Sequence, residues 1–102
     1  MVYYEFRYRS SETLGLTMAK STSKAIYDTL RALLVACRRD ANVTQVELAR
    51  RLGKPQPFIS DIERGERGLD VIEFCALVSA LGAEPVEILS RLLDQLPRKI
   101  EI

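Results

Sequence analysis

Apolar positions along this chain follow two periods, alternating at its ends and helical between them. Residues 2–9, VYYEFRYR, alternate, with Val2, Tyr4, Phe6 and Tyr8 on one side and Tyr3, Glu5, Arg7 and Arg9 on the other. Period two with aromatic enrichment predicts a strand. A lone strand needs a partner, and the alternating tail Arg98-Lys99-Ile100-Glu101-Ile102 is one candidate, within one chain or between two. Residues 10–22 are polar with one glycine and read as a linker. From there the period is helical. Ile26, Leu30, Leu33, Leu34 and Cys37 form the stripe of a first helix that Thr22 or Ser23 caps and that runs to about Asp40. Arg38 and Arg39 stand near its C-terminal end, where cations suit the dipole. Asn42 follows, a residue that tolerates the left-handed backbone of a helix end.

The stretch Thr44–Gly65, TQVELARRLGKPQPFISDIERG, predicts two short helices with a tight break. Val46, Leu48, Ala49 and Leu52 share one face over residues 44–52, and Gly53 stops the pattern. Thr44 and Glu47 form a capping box in which the hydroxyl accepts from the third amide and the carboxylate reaches back. Gly53-Lys54-Pro55 makes the turn, and a helix over residues 56–64 points Phe58, Ile59 and Ile62 inward before Gly65 stops it. Asp70 and Glu73 repeat the capping pattern ahead of a fourth helix with Val71, Phe74, Leu77, Val78 and Leu81 inward, ended by Gly82. Pro85 opens a fifth helix with Ile88, Leu89, Leu92, Leu93 and Leu96 as its stripe, closed by Pro97. The fold class is therefore all-α: a compact five-helix domain over residues 23–97. The N-terminal extension (1–22) and the tail (98–102) flank it; short strands are one reading of them, and a loose extension over residues 1–17 is the other.

Composition narrows the chemistry. At 102 residues, 47% apolar and 28% charged, the chain has room for one domain with one core. No apolar run approaches the ~18 residues of a membrane helix, and the N-terminus lacks the apolar centre of a signal peptide, so a cytoplasmic protein is expected. Met18 with its polar lead-in reads like a natural start, which would make the first seventeen residues an upstream addition. Cys37 and Cys75 have no metal-ligand spacing and read as small core residues. The sequence holds no histidine and no evident carboxylate pair, so neither an enzyme, a metal site nor a cofactor is expected. Net charge is only +1, and residues 41–102 carry eight basic against ten acidic side chains. A nucleic-acid ligand would have to meet a local face rather than a global field.

Two helices joined at a glycine are the shape of a helix-turn-helix. In register, Thr44-Gln45-x-Glu47-Leu48-Ala49, Leu52-Gly53, Gln56, Ile59-Ser60, Ile62-Glu63-x-Gly65, Ala80-Leu81-Gly82 and Ile88-Leu89 resemble the Cro/repressor (XRE-type) helix-turn-helix family over roughly residues 30–90. The resemblance implies roles. Gln45, beside Thr44 and the exposed helix amides, matches a glutamine that hydrogen-bonds a DNA phosphate. Gln56 matches one that opens the recognition helix and reads a base edge or braces Gln45. Arg38 and Glu63 match a partly buried salt bridge that fixes the recognition helix to the first helix. Pro57, Phe58, Ser60, Asp61 and Arg64 occupy the rest of the recognition helix. Pro57 or Phe58 suits a thymine methyl, though Phe58 equally suits the core, and Ser60 suits a phosphate. Asp61 departs from the pattern: a carboxylate there either accepts from a cytosine amino group or faces solvent or a partner. Lys54, Arg64 and Arg67 flank the helix as backbone clamps.

The expected function is a sequence-specific regulator, a repressor that binds double-stranded DNA as a homodimer on a pseudo-palindromic operator. The leucine-rich fifth helix (Ile88, Leu89, Leu92, Leu93, Leu96) would supply the dimer contact, and nothing in the sequence marks a ligand pocket. Two alternatives stay open: an antitoxin whose aromatic N-terminal stretch meets a toxin protein, and an interaction module that has lost DNA affinity.

Overall fold

The structure, a computed structural model, describes residues 12–101, with side chains described from Ser23 onward. Among the described residues there are five helices and no strand: α1 (Glu12–Asp40), α2 (Gln45–Leu52), α3 (Gln56–Arg64), α4 (Val71–Ala80) and α5 (Pro85–Asp94). Two expectations change. Helix α1 begins at Glu12, so most of the expected linker is helical. Ser, Thr and a single Gly are weak helix breakers once a longer helix runs through them. The tail forms no strand over residues 98–101; Lys99 there pairs with Glu101 at 3.0 Å. The expected strand over residues 2–9 lies outside the described residues.

Side-chain and glycine caps set the short helices. The Thr44 hydroxyl accepts from the Glu47 amide at 3.0 Å, satisfying one orphan donor of α2. The Glu47 carboxylate does not reach back to complete a box; it turns forward to Arg50 and Arg51. Asp70 and Glu73 do complete one at the start of α4. At the other ends, Asn42 (φ 58°), Gly53 (φ 67°), Gly65 (φ 81°) and Gly82 (φ 80°) adopt the left-handed backbone that reverses the chain. At Gly65 an added Cβ would lie 2.9 Å from the Arg31 guanidinium, the far end of a flexible side chain.

These reversals fold the helices round one core. Leu34 of α1, Val43, Leu48 and Ala49 of α2, Ile59 and Ile62 of α3, Phe74, Leu77, Val78 and Leu81 around α4, and Ile88 of α5 are buried together. Helix α1 packs on α3 and α5, α2 on α3 and α4, and α4 on α5. Arg51 adds a polar tie by donating to the Ala80 carbonyl at 2.8 Å, at the C-terminal end of α4. Val46 and Val71, expected inside, are 66% and 73% exposed. Each lies in the first turn of its helix, where the apolar stripe has already left the core. Cys37 and Cys75 are half-buried free thiols, and burial pushes the Cys37 thiol up. Among the described residues no helix is long and apolar enough to cross a membrane.

Candidate nucleic-acid interface

Helices α2 and α3 meet through a chain of hydrogen bonds that begins on the surface and ends in the scaffold. Gln56, exposed at the first position of α3, donates from Nε2 to Gln45 Oε1 at 2.8 Å. Gln45, first in α2, donates from its own Nε2 to Glu63 Oε1 at 2.8 Å. Glu63 accepts from Arg38 at 2.7 Å (Nε to Oε2) and 3.1 Å (Nη2 to Oε1), and Arg38 Nη1 donates to the Val43 carbonyl at 2.9 Å. Four side chains from three helices thus form one network.

Its inner end is electrostatically demanding. The Arg38 and Glu63 side chains are each only 11% exposed. Taking two ions out of water is costly unless geometry is good and the remaining donors are used. Here the fork is bidentate and the third arginine nitrogen is spent on a carbonyl, which meets that condition. Burial alone would raise the Glu63 carboxyl; the hydrogen bonds from Arg38 and Gln45, with the charge of Arg38, outweigh it and hold the group below its ordinary range. The Glu63 bond in turn raises Arg38. Glu63 belongs to α3 and Arg38 to α1, so the pair fixes the azimuth of α3 against the scaffold.

The outer end carries the exposed residues expected to meet a ligand. Thr44, Lys54, Gln56, Pro57, Arg64 and Arg67 are exposed, and Gln45, Ser60 and Asp61 are half-buried. Proline in the first turn of α3 costs no hydrogen bond, since that amide has no partner inside the helix. Ser60 makes a long contact, 3.4 Å, from its hydroxyl to the Pro57 carbonyl.

The three expected clamps differ in their surroundings. Lys54 Nζ stands 5.3 Å from the Phe58 ring centroid, and the Arg67 guanidinium carbon stands 4.4 Å from it. Phe58 is therefore half core and half platform for two cations. Arg67 also grips Glu73 with both terminal nitrogens, at 3.2 and 3.0 Å, and donates to the Gly68 carbonyl. The Arg67–Glu73 bonds, with the Asp70 amide, hold the Glu73 carboxyl low. Arg64 lies 2.6 Å from Asp61 and 3.1 Å from Glu66. Arg50 and Arg51 share Glu47, whose carboxyl their hydrogen bonds lower to about 2.

Sequence reasoning missed the Phe58 platform and Glu73 as a partner of Arg67, six residues away across a loop with no periodic signal. The Asp61–Arg64 pair was missed as well, although its spacing of three on a helix could have signalled it. The expected dimer stripe is divided. Ile88 and Leu92 are 3% and 8% exposed inside the monomer, out of a second copy's reach, while Leu89 is 43% exposed. Helix α5 turns its i, i+4 pair into the core and leaves the next position outward. Beside Leu89 opens an apolar cleft of about 460 Å³, lined among others by Tyr27, Leu30, Val71, Val86 and Ile100, which the sequence did not announce.

Comparison with known proteins agrees with this geometry. Residues 34–94 match a family described as helix-turn-helix. The chain is 40% identical over 53 residues to an uncharacterised HTH-type transcriptional regulator of Sinorhizobium fredii, spanning 52% of this chain and 69% of that protein. An XRE-family-like protein from Pseudomonas syringae pv. tomato superposes with a TM-score of 0.74 at 43% identity, over 81% of this chain and 99% of that one.

Proposed function

Because the chain belongs to the helix-turn-helix family of XRE-type transcriptional regulators, we propose that it binds double-stranded DNA sequence-specifically and represses transcription from a pseudo-palindromic operator. The observation that carries this reading is the network from Gln56 through Gln45 to Glu63 and Arg38. It holds a carboxamide at the exposed start of α3 and anchors it to a part-buried ion pair, which is the preorganisation a base-reading side chain needs. Gln56 reads a base edge in the major groove. Thr44, Gln45, Lys54, Ser60, Arg64 and Arg67 contact or approach the backbone, and Pro57 sits against the groove floor. The domain spans residues 23–97 and works in the cytoplasm.

One short helix makes few base contacts, so the functional unit is a homodimer reading half-sites about one helical turn, ~34 Å, apart. The apolar cleft and exposed Leu89 and Val86 of α5 support that face as the contact, joined by Leu93 and Leu96. Bound on a promoter, such a dimer occludes polymerase. Sedimentation tests the dimer, and a monomer at micromolar concentration would rule it out. Electrophoretic mobility of a random-sequence duplex tests DNA binding itself. At low salt a complex is expected that dissolves as salt rises.

A second reading has one observation in its favour. Arg38, Arg50, Arg51, Arg64 and Arg67 are all paired with carboxylates, as suits an interaction module that no longer meets phosphate. Absence of any complex at low salt decides for it.

A further inference from the structure

Asp61 stands on the exposed side of the recognition helix, where a carboxylate repels the phosphates the helix must approach. Its observed contact is with Arg64, one turn on, at 2.6 Å, and Glu66 takes the same guanidinium nitrogen at 3.1 Å. Asp61 and Arg64 remain 37% and 57% exposed, so water screens the attraction and the pair is exchangeable. It thus differs from Arg38–Glu63, which is fixed by burial. It also differs from Arg67, whose guanidinium is held by the Phe58 face as well as by Glu73.

A guanidinium fork fits a phosphate as well as it fits a carboxylate. Arg64 therefore has two competing anions. A random duplex offers it a phosphate with no base contact to fix the helix in register, and the two carboxylates hold against it. A cognate site fixes α3 through its base contacts, presents the phosphate repeatedly at one place, and wins the exchange. We propose that Asp61, seconded by Glu66, is a specificity-determining residue: it keeps Arg64 in an internal pair that DNA must displace, and so weakens binding to non-cognate sequence more than to the operator. The proposal rests on the DNA-binding reading above. It gives Asp61 a role that requires neither a cytosine amino group nor a protein partner.

The test compares wild type, Asp61→Asn, Arg64→Ala and the double variant on two fluorescent duplexes across a salt series. One duplex carries a site selected from a random pool with the wild-type protein, the other a scrambled sequence. Asp61→Asn should bind the scrambled duplex about two- to fivefold tighter. Its plot of log affinity against log salt should steepen by about 0.9, the value of one added phosphate contact, and the ratio of selected to scrambled affinity should shrink. In the Arg64→Ala background the gain should collapse. Unchanged affinity for the scrambled duplex overturns the proposal, as does a full gain without Arg64, which would mean plain repulsion. A loss confined to one base pair of the selected site overturns it in favour of cytosine reading. If wild type and Asp61→Asn both bind neither duplex at low salt, the DNA-binding reading itself falls.

Discussion

The carboxamide of Gln56 donates to the carboxamide of Gln45 across the turn between α2 and α3, at 2.8 Å. Bracing and base reading are therefore compatible. A carboxamide nitrogen has two hydrogens and its oxygen two lone pairs. The brace uses one hydrogen of Gln56, leaving the other and the oxygen, the set that pairs bidentately with adenine. Gln56→Ala should alter the selected motif at one position per half-site. Gln45→Ala should blur that same position, although Gln45 touches no base in this scheme. Sites selected from a random pool with each variant check this; an intact motif with Gln56→Ala would reduce Gln56 to a brace.

Arg38 and Glu63 carry the inner end of the network, and each side chain is only 11% exposed, so the loss of one partner leaves the other poorly solvated. Arg38→Ala should destabilise the fold by about 1–3 kcal/mol, the cost of leaving a part-buried carboxylate without its partner. Replacing both members together with apolar residues should cost much less. Urea unfolding of the single and double variants measures the difference.

The same pair makes stability fall in acid. The Glu63 carboxyl is held below its ordinary value in the folded chain, so its contribution is present above the unfolded value of about 4.3. It is lost as pH drops through the folded value. Thermal unfolding of wild type should weaken from pH 5 downward. The gap between wild type and Glu63→Gln should be largest near neutral pH and should close in that acid range.

Arg67 and Lys54 share the Phe58 ring, and Arg67 also pairs with Glu73. Arg67→Ala should weaken binding to all sequences about equally and reduce the salt slope by about 1. A change confined to one base pair, seen by competition with single-base variants, would move Arg67 to base readout.

Gly65 closes α3 with φ 81°, a backbone that an L side chain adopts at a cost of about 1–2 kcal/mol. The Arg31 guanidinium near the missing Cβ is the far end of a flexible chain and can shift. Gly65→Ala should therefore lose stability by roughly that strain, and Thr44→Ala by about 1 kcal/mol for its cap. Thermal melts read both.

What the sequence disclosed follows from which physics is local. Asn42, Gly53, Gly65 and Gly82 act through their own backbone, and Thr44 and Asp70 cap within three residues, so the boundaries of α2, α3 and α4 were legible. The register of Gln45, Gln56 and Glu63 anticipated the Gln56–Gln45 brace and the Arg38–Glu63 pair. Choices among competing partners were not legible. Glu47 had both the Thr44 amide and two arginines in reach and took the arginines. Val46 and Val71 share the chemistry of their stripes but not the angle, which only packing decides. The division of α5 into buried Ile88 and Leu92 and exposed Leu89, and the cleft beside it, depend on α1 and α4 lying alongside.

The central question is whether this exposed face meets DNA. The most direct measurement is the affinity of the wild-type chain for duplex DNA at low salt, followed across a salt series together with a site selected from a random pool. Measurable binding to any duplex is expected at low salt, falling steeply with salt, with tighter binding to a two-fold-related site whose half-sites lie about one helical turn apart. No binding to any duplex at low salt would contradict DNA binding by this face.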